Sequence, residues 1–294
     1  MYRPHTSYRI IGAALVFVFI LVSSIGCQRE EPPVRSDVLF ATTPAFSYIV
    51  QEMAGEVFDV QSLLPAGQSP HTFEPRPSVV RAASNARILI YGAPNLDEWI
   101  TRFEDLPQVS LIGLLPDSLW LPRGSETPNP HFWMDPLAVQ AIAHPLSRTL
   151  CALEPDHCEA FRANATAFHT DLDSLNATLA RDLSALRGAS FVVSHAFLEY
   201  FATRYALETT SIVTGSSGLE PSPRTLSRIL ESVSSTGALA VLTETSEPSR
   251  AARTVAESAG IGLIGLDVVG GTNGRMTYDE VLGYNASRLL EVIR

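Results

Sequence analysis

From residue 37 onward, apolar runs of strand length alternate with amphipathic segments of helical period. The first half reads as strand in DVLFATT, helix in AFSYIVQEMAG, strand in FDVQSLLP, helix in SVVRAASNA, strand in RILIYGA, helix in LDEWITRF and strand in VSLIGLL. The second half repeats the rhythm, with strands in SFVVSHA, ETTSIVT, ALAVLTET and GLIGLDVV separated by helices in AFLEYFATRYA, SPRTLSRILESVSSTG and SRAARTVAESAG. Such alternation points to βαβ units, because a parallel strand pair needs a long crossover that a helix supplies. The pattern predicts an α/β protein with parallel-rich sheets flanked by helices.

Between the halves, Phe161, Ala165, Phe168, Leu172, Leu175, Leu179, Leu183 and Leu186 recur at helical spacing, and Gly188 supplies a stop. This predicts one long helix over residues 159–188, a stiff connection between an N-terminal lobe (37–158) and a C-terminal lobe (189–294). At 294 residues and 46% hydrophobic the chain has enough apolar material for two such lobes.

Residues 1–26 read as a secretion signal: Arg3 and Arg9 form a basic start, IIGAALVFVFILVSSIG an apolar stretch, and small residues precede Cys27. A cysteine after Ser-Ile-Gly resembles a bacterial lipobox, in which the thiol takes lipid before cleavage, although Ser24 stands where a branched aliphatic is preferred. The alternative is a retained N-terminal membrane anchor. Either reading places the remainder outside the cytoplasm, periplasmic or at the cell surface. Residues 27–36, CQREEPPVRS, form a charged, proline-bearing tether.

The formal net charge is −10, and every one of the 21 basic residues is arginine. An acidic chain without basic blocks excludes nucleic acid as a partner, since phosphate-backbone binding needs clustered cations to displace counterions. In an oxidising compartment Cys151 and Cys158, in CALEPDHC, are expected to form a local disulfide. A metal pair with His157 is the weaker reading, because the spacing exceeds a thiolate knuckle.

Candidate chemistry gathers on loops that follow strands, where ligands of open α/β sheets sit. His71 lies in GQSPHTFEP between Pro70 and Pro75, each of which fixes φ, so its loop is stiff. His131 lies in NPHFWMDP, His195 ends FVVSH, and Asp267 ends LIGLD before the glycine-rich VVGGTNG. Three imidazoles and one carboxylate make a complete tetrahedral set for Zn2+. Glu74, Asp135 and Glu199 follow the histidines by three or four positions and are candidates to accept the second ring N–H. Glu244 ends ALAVLTE and faces the same region as an outer acceptor or a substitute ligand. Trp133, two residues from His131, is a candidate shield for the ion.

With GQSPHTFEP, NPHFWMDP, FVVSHAFLEYFATRYAL, GLEPSPRTL and LIGLDVVGG in order, the chain resembles the extracytoplasmic metal-binding subunits of bacterial zinc/manganese ABC importers, the ZnuA/TroA-like solute-binding proteins. The resemblance implies two lobes with four-stranded sheets joined by one long backbone helix, with the metal in the cleft between them. It implies His71, His131, His195 and Asp267 as ligands, Zn2+ as cargo with Mn2+ as the alternative, and no enzymatic activity. An ABC permease with its ATPase is the implied partner, the membrane being reached through the N-terminal lipid, and a monomer is expected. A histidine-rich loop present in many zinc-specific relatives is missing. Two other classes remain at this stage: a zinc hydrolase, should Asp267 point away and leave a coordination position open, and a surface adhesin on the same fold.

Overall fold

The protein is described from a computed structural model, which covers residues 37–103, 106–212 and 222–293. The signal segment 1–26, Cys27 with its tether, and residues 218–221 of GLEPSPRTL lie outside the described residues. Among those described, no helix is long and apolar enough to cross a membrane.

Two four-stranded sheets form, both wholly parallel. The first contains β1 (Val38–Ala41), β2 (Asp59–Ser62), β3 (Leu89–Tyr91) and β4 (Gln108–Ser110) in the order β2-β1-β3-β4. The second contains β5 (Ser190–Val193), β6 (Glu208–Ser211), β7 (Ala240–Glu244) and β8 (Gly262–Leu266) in the order β6-β5-β7-β8. The two orders are the same, so each sheet has its topological switch between its first and third strands, where loops leave in opposite directions and open a crevice.

Five of the eight α-helices among the described residues begin at a side-chain cap. In α1 (Pro44–Ala54) the Thr43 side chain accepts from the Phe46 N–H, with proline at the first position and Gly55 at the end. Helix α2 spans Pro77–Ser84. Asp135 caps α3 (Pro136–Leu153), Ser222 caps α6 (Pro223–Thr236) and Ser249 caps α7 (Arg250–Ala259). Between these, α4 spans Cys158–Asp182 and α5 Glu199–Tyr205. Thr277 and Glu280 form a reciprocal capping box at α8 (Tyr278–Leu289).

The long connecting helix is α4, continued by a 3-10 turn over Leu183–Leu186, with Gly188 at positive φ closing the run. Two helices, α3 and α8, have no counterpart in the alternation described above. The segment LDEWITRF forms a 3-10 turn over Glu98–Arg102, and VSLIGLL pairs only through Ser110 before a 3-10 turn at Ile112–Leu114. Cys151 and Cys158 are joined by a disulfide.

The central strands are buried on both faces, and their alternation sorts residues into separate cores. Leu39 and Ala41 of β1 face one cluster and Phe40 another; Phe191 and Val193 of β5 face that same first cluster while Val192 faces a third. The outer face of the first sheet packs with Ala83 of α2 and with Trp99 and Ile100; that of the second packs with Ile229, Val233 and Val255 of α6 and α7. The inner faces of both sheets share one continuous cluster with α1, α3, α4 and α8, including Phe46, Ile142, Phe161, Leu172 and Leu282. The two halves are thus cemented by common apolar packing as well as by chain connection.

Candidate metal centre

At the carboxyl edges of the two sheets, His71, His131, His195 and Glu244 each direct one ligand atom into a group whose members lie within 4.8 Å of one another. Among the described residues it is the one group of three or more His, Cys, Asp or Glu that meets this condition. The second sheet supplies its two members from its switch point: His195 follows β5 and Glu244 is the last residue of β7. His71 follows β2, on a loop turned at Gly67 with φ +77°. His131 precedes a 3-10 turn over Phe132–Met134.

The contacts within the group are those of ligands facing a common point. His71 Nε2 and His131 Nε2 are 3.2 Å apart, and His195 Nε2 stands 2.9 Å from Glu244 Oε1. Glu244 Oε1 also lies 3.9 Å from His131 Nε2. Despite their proximity, His195 Nε2 and Glu244 Oε1 are not aligned as a hydrogen bond, and both are buried without any such partner. Buried polar atoms of this kind are rare unless something else satisfies them. A cation at their focus would satisfy all four at once, and three imidazoles plus one carboxylate suit a borderline-soft divalent ion.

Asn129 fixes the tautomer of His131. Its amide nitrogen donates to Ala196 O at 2.6 Å and to Glu199 Oε2 at 2.7 Å, which leaves its carbonyl oxygen as the acceptor. That oxygen receives the His131 backbone N–H at 3.0 Å and lies 2.8 Å from His131 Nδ1. The ring proton is therefore on Nδ1 and the Nε2 lone pair faces the group. Burial, then the neighbouring His71 and His195, push His131 well below the ordinary imidazole value. Burial also lowers His71, against the pull of Glu244. In His195 burial works downward, but Glu244 outweighs it and the net shift is upward. Two of the three rings are thus held neutral, as ligands must be.

The structure separates the other candidates. Asp267, expected as the fourth ligand, is outside the group. Its Oδ2 accepts from Arg275 Nε and Nη2 at 2.9 and 2.7 Å and from Thr272 Oγ1 at 2.6 Å, and its Oδ1 accepts the Gly270 N–H at 2.9 Å. The carboxylate that does lie within the group is that of Glu244. Asp135 does not reach His131: it caps α3 through the Leu137 N–H and receives a two-pronged contact from Arg204 at 2.9 and 2.7 Å. Glu199 touches Asn129 and so supports His131 at one remove; it was expected beside His195. Glu74 is exposed. Trp133 is fully buried, its ring centre 5.2 Å from that of His131 and its indole N–H donating to Val268 O, so it walls the group on one side. Sequence reasoning missed Asn129 and Arg275. The first had a visible signal, an asparagine two residues before a loop histidine.

Residues 39–292 match the family described as zinc-uptake complex component A, periplasmic. The chain belongs to this family. The zinc-uptake component family is one of metal-binding uptake subunits and not of enzymes. Among its relatives, the zinc-binding lipoprotein AdcA of Streptococcus pneumoniae is 26% identical over 269 residues, which is 86% of this chain and 53% of AdcA, so the chain spans about half that protein's length. The manganese-binding lipoprotein MntA of Halalkalibacterium halodurans is 26% identical over 284 residues, covering 92% of this chain and 95% of MntA. The iron ABC transporter substrate-binding lipoprotein MtsA of Streptococcus pyogenes is 27% identical over 269 residues, 86% of each chain. In fold, the periplasmic zinc-binding protein TroA of Treponema pallidum superposes with a TM-score of 0.79 at 19% identity, covering 87% of this chain and 98% of that one.

Proposed function

We propose that this chain captures Zn2+ outside the cytoplasm, in a cleft between its lobes, and hands it to an ABC permease driven by an ATPase. The observation that carries the reading is the convergence of three imidazole nitrogens and the Glu244 carboxylate on one point. Relatives named for zinc, manganese and iron stand at 26–27% identity, so descent does not choose among the metals. The donor set supports zinc, because three nitrogens with a single carboxylate suit it better than the harder, oxygen-preferring manganese ion. Lipidation at Cys27 would tether the domain to the membrane through residues 27–36, in keeping with relatives described as lipoproteins. No bond is made or broken in this work. A hydrolase would need an open coordination position and a free base, and here Glu244 closes the set while Asp135 is engaged by Arg204.

Metal analysis of the purified mature chain tests this. One zinc per chain is expected, lost in His131→Ala and weakened by about 10-fold to 100-fold in Glu244→Gln. Asp267→Asn should keep stoichiometric zinc. Full zinc affinity in His131→Ala would end the reading, and a manganese affinity exceeding that for zinc in the unmodified chain would replace the cargo.

A further inference from the structure

We propose that His144, His169 and Asp173 form a second, weaker Zn2+ site on the outer surface of the α3–α4 helix pair, separate from the cleft. The two helices are joined by a short turn over Pro155–His157 and by the Cys151–Cys158 disulfide, so they run antiparallel. Two i,i+4 pairs then face each other: Gln140 and His144 on α3, His169 and Asp173 on α4. Gln140 meets Asp173 and His144 meets His169, the order that antiparallel helices require. His144 stands nine residues along α3 from the Asp135 cap, about 14 Å by helical rise from the end nearest His131.

Two neighbouring exposed rings would alone be ordinary packing. What points to a cation is the carboxylate beside them. Gln140 Nε2 donates to Asp173 Oδ1 at 2.7 Å and to the His169 carbonyl at 3.0 Å, which anchors the acid and leaves Oδ2 on the His169 side. Oδ2 lies 3.7 Å from His169 Nδ1, beyond hydrogen-bond length. Two ligand atoms about 2 Å from one tetrahedral ion stand roughly 3.3 Å apart, so this gap is near that of two donors sharing a metal. The ring centres of His144 and His169 are 5.9 Å apart, against 5.3–5.4 Å among the three rings of the cleft.

This outer set is looser than the cleft group, and the exposed His144 must turn its ring to complete it. Two nitrogens, one carboxylate oxygen and a water make a four-coordinate set for zinc, with one protein ligand fewer than the cleft and open to solvent. Affinity is therefore lower, and the purified chain still carries only the zinc of the cleft. Where free zinc is plentiful, the second ion ties α3 to α4 and stabilises the folded chain by a further increment.

Zinc titration of the mature chain against a chromophoric chelator, with nitrogen NMR of the histidine rings, tests this. Two steps are expected, the first moving the rings of His71, His131 and His195 and the second those of His144 and His169. His131→Ala, which empties the cleft, should keep the second step. His144→Ala and His169→Ala should abolish it and leave the first unchanged, with circular dichroism confirming the fold. Gln140→Ala frees the carboxylate without removing a ligand and should weaken the second step about 10-fold. Absence of a second step up to the solubility limit of zinc overturns the proposal. So does a second step that persists in His169→Ala, which would place the extra ion elsewhere on the acidic chain. The second step is read even with the cleft emptied, so its failure and failure of the cleft reading are separate results.

Discussion

At His195 two influences oppose each other, and their balance sets how metal capture responds to acid. Burial favours the neutral ring, the Glu244 carboxylate favours the protonated one, and the carboxylate prevails, so this imidazole holds its proton to higher pH than the ordinary value of about 6.5. His71 and His131 are shifted the other way and compete with metal only in stronger acid. As pH falls, zinc affinity should therefore begin to drop through His195 before the other two rings, with the number of protons displaced per ion rising as the solution is made more acid. Calorimetric titration in buffers of different ionisation enthalpy counts those protons. In zinc-free protein, NMR should find the His195 midpoint lowered by Glu244→Gln; an unmoved midpoint would show that the carboxylate is not its cause. Asn129→Ala removes the group that orients His131, and zinc affinity should fall about 10-fold or more by metal competition. The histidines were legible in sequence because prolines and strand ends mark stiff loops. Glu244 was legible only as a substitute; that Asp267 lies outside the group was not, because nothing in LIGLDVVGG announces that Arg275 will fold back over eight residues to pair with the acid.

Among the elements, α3 shows how local rules and packing divide the work. Its interior contains Pro145, which removes a helical hydrogen bond, and the pattern AIAHPLSRTL reads as interrupted. The helix persists because Ala138, Val139, Ile142, Leu146 and Leu150 are buried in the shared core, where tertiary packing outweighs propensity. Its start depends on Asp135, which caps the first turn and pairs with Arg204 of α5. Asp135→Ala should cost about 2 kcal/mol in chemical denaturation, since cap loss typically accounts for about 1 and the pair with the partly exposed Arg204 adds modestly. Zinc affinity should hardly change. A large loss of affinity with stability intact would revive the expectation that this acid supports His131 directly. The strands were the most readable elements, because Leu39, Phe191 and Leu242 sit in short apolar runs bounded by turn residues. β4 was overestimated, because only Gln108–Ser110 pair with β3 before the chain leaves the sheet edge.

For the whole molecule, the shared core decides how far the two sheets can part and how they come apart. The sequence announces two lobes and a connecting helix, yet alternation along strands cannot reveal that the inner faces of both sheets open onto the same cluster as α1 and α8. Exposing even about 400 Å² of that apolar surface would cost about 10 kcal/mol, comparable to the entire stability of an ordinary domain. Loading can therefore adjust the edge where the ligands stand but cannot swing the halves widely. Small-angle scattering should find a radius of gyration near 18 Å for the folded part, changing by less than about 1 Å on zinc addition. The same cement predicts a single thermal transition for both sheets, because neither half keeps a complete core once the other unfolds. A ligand that binds only the folded state adds about 2.7 kcal/mol at a free concentration one hundred times its dissociation constant. For a chain of this size that corresponds to an upward shift of about 5–10 °C in the whole transition. Calorimetry with and without zinc checks the point. Two transitions, of which zinc moves only one, would mean that the halves fold separately and that the centre does not join them; one transition moving as a unit ties the four ligands to both.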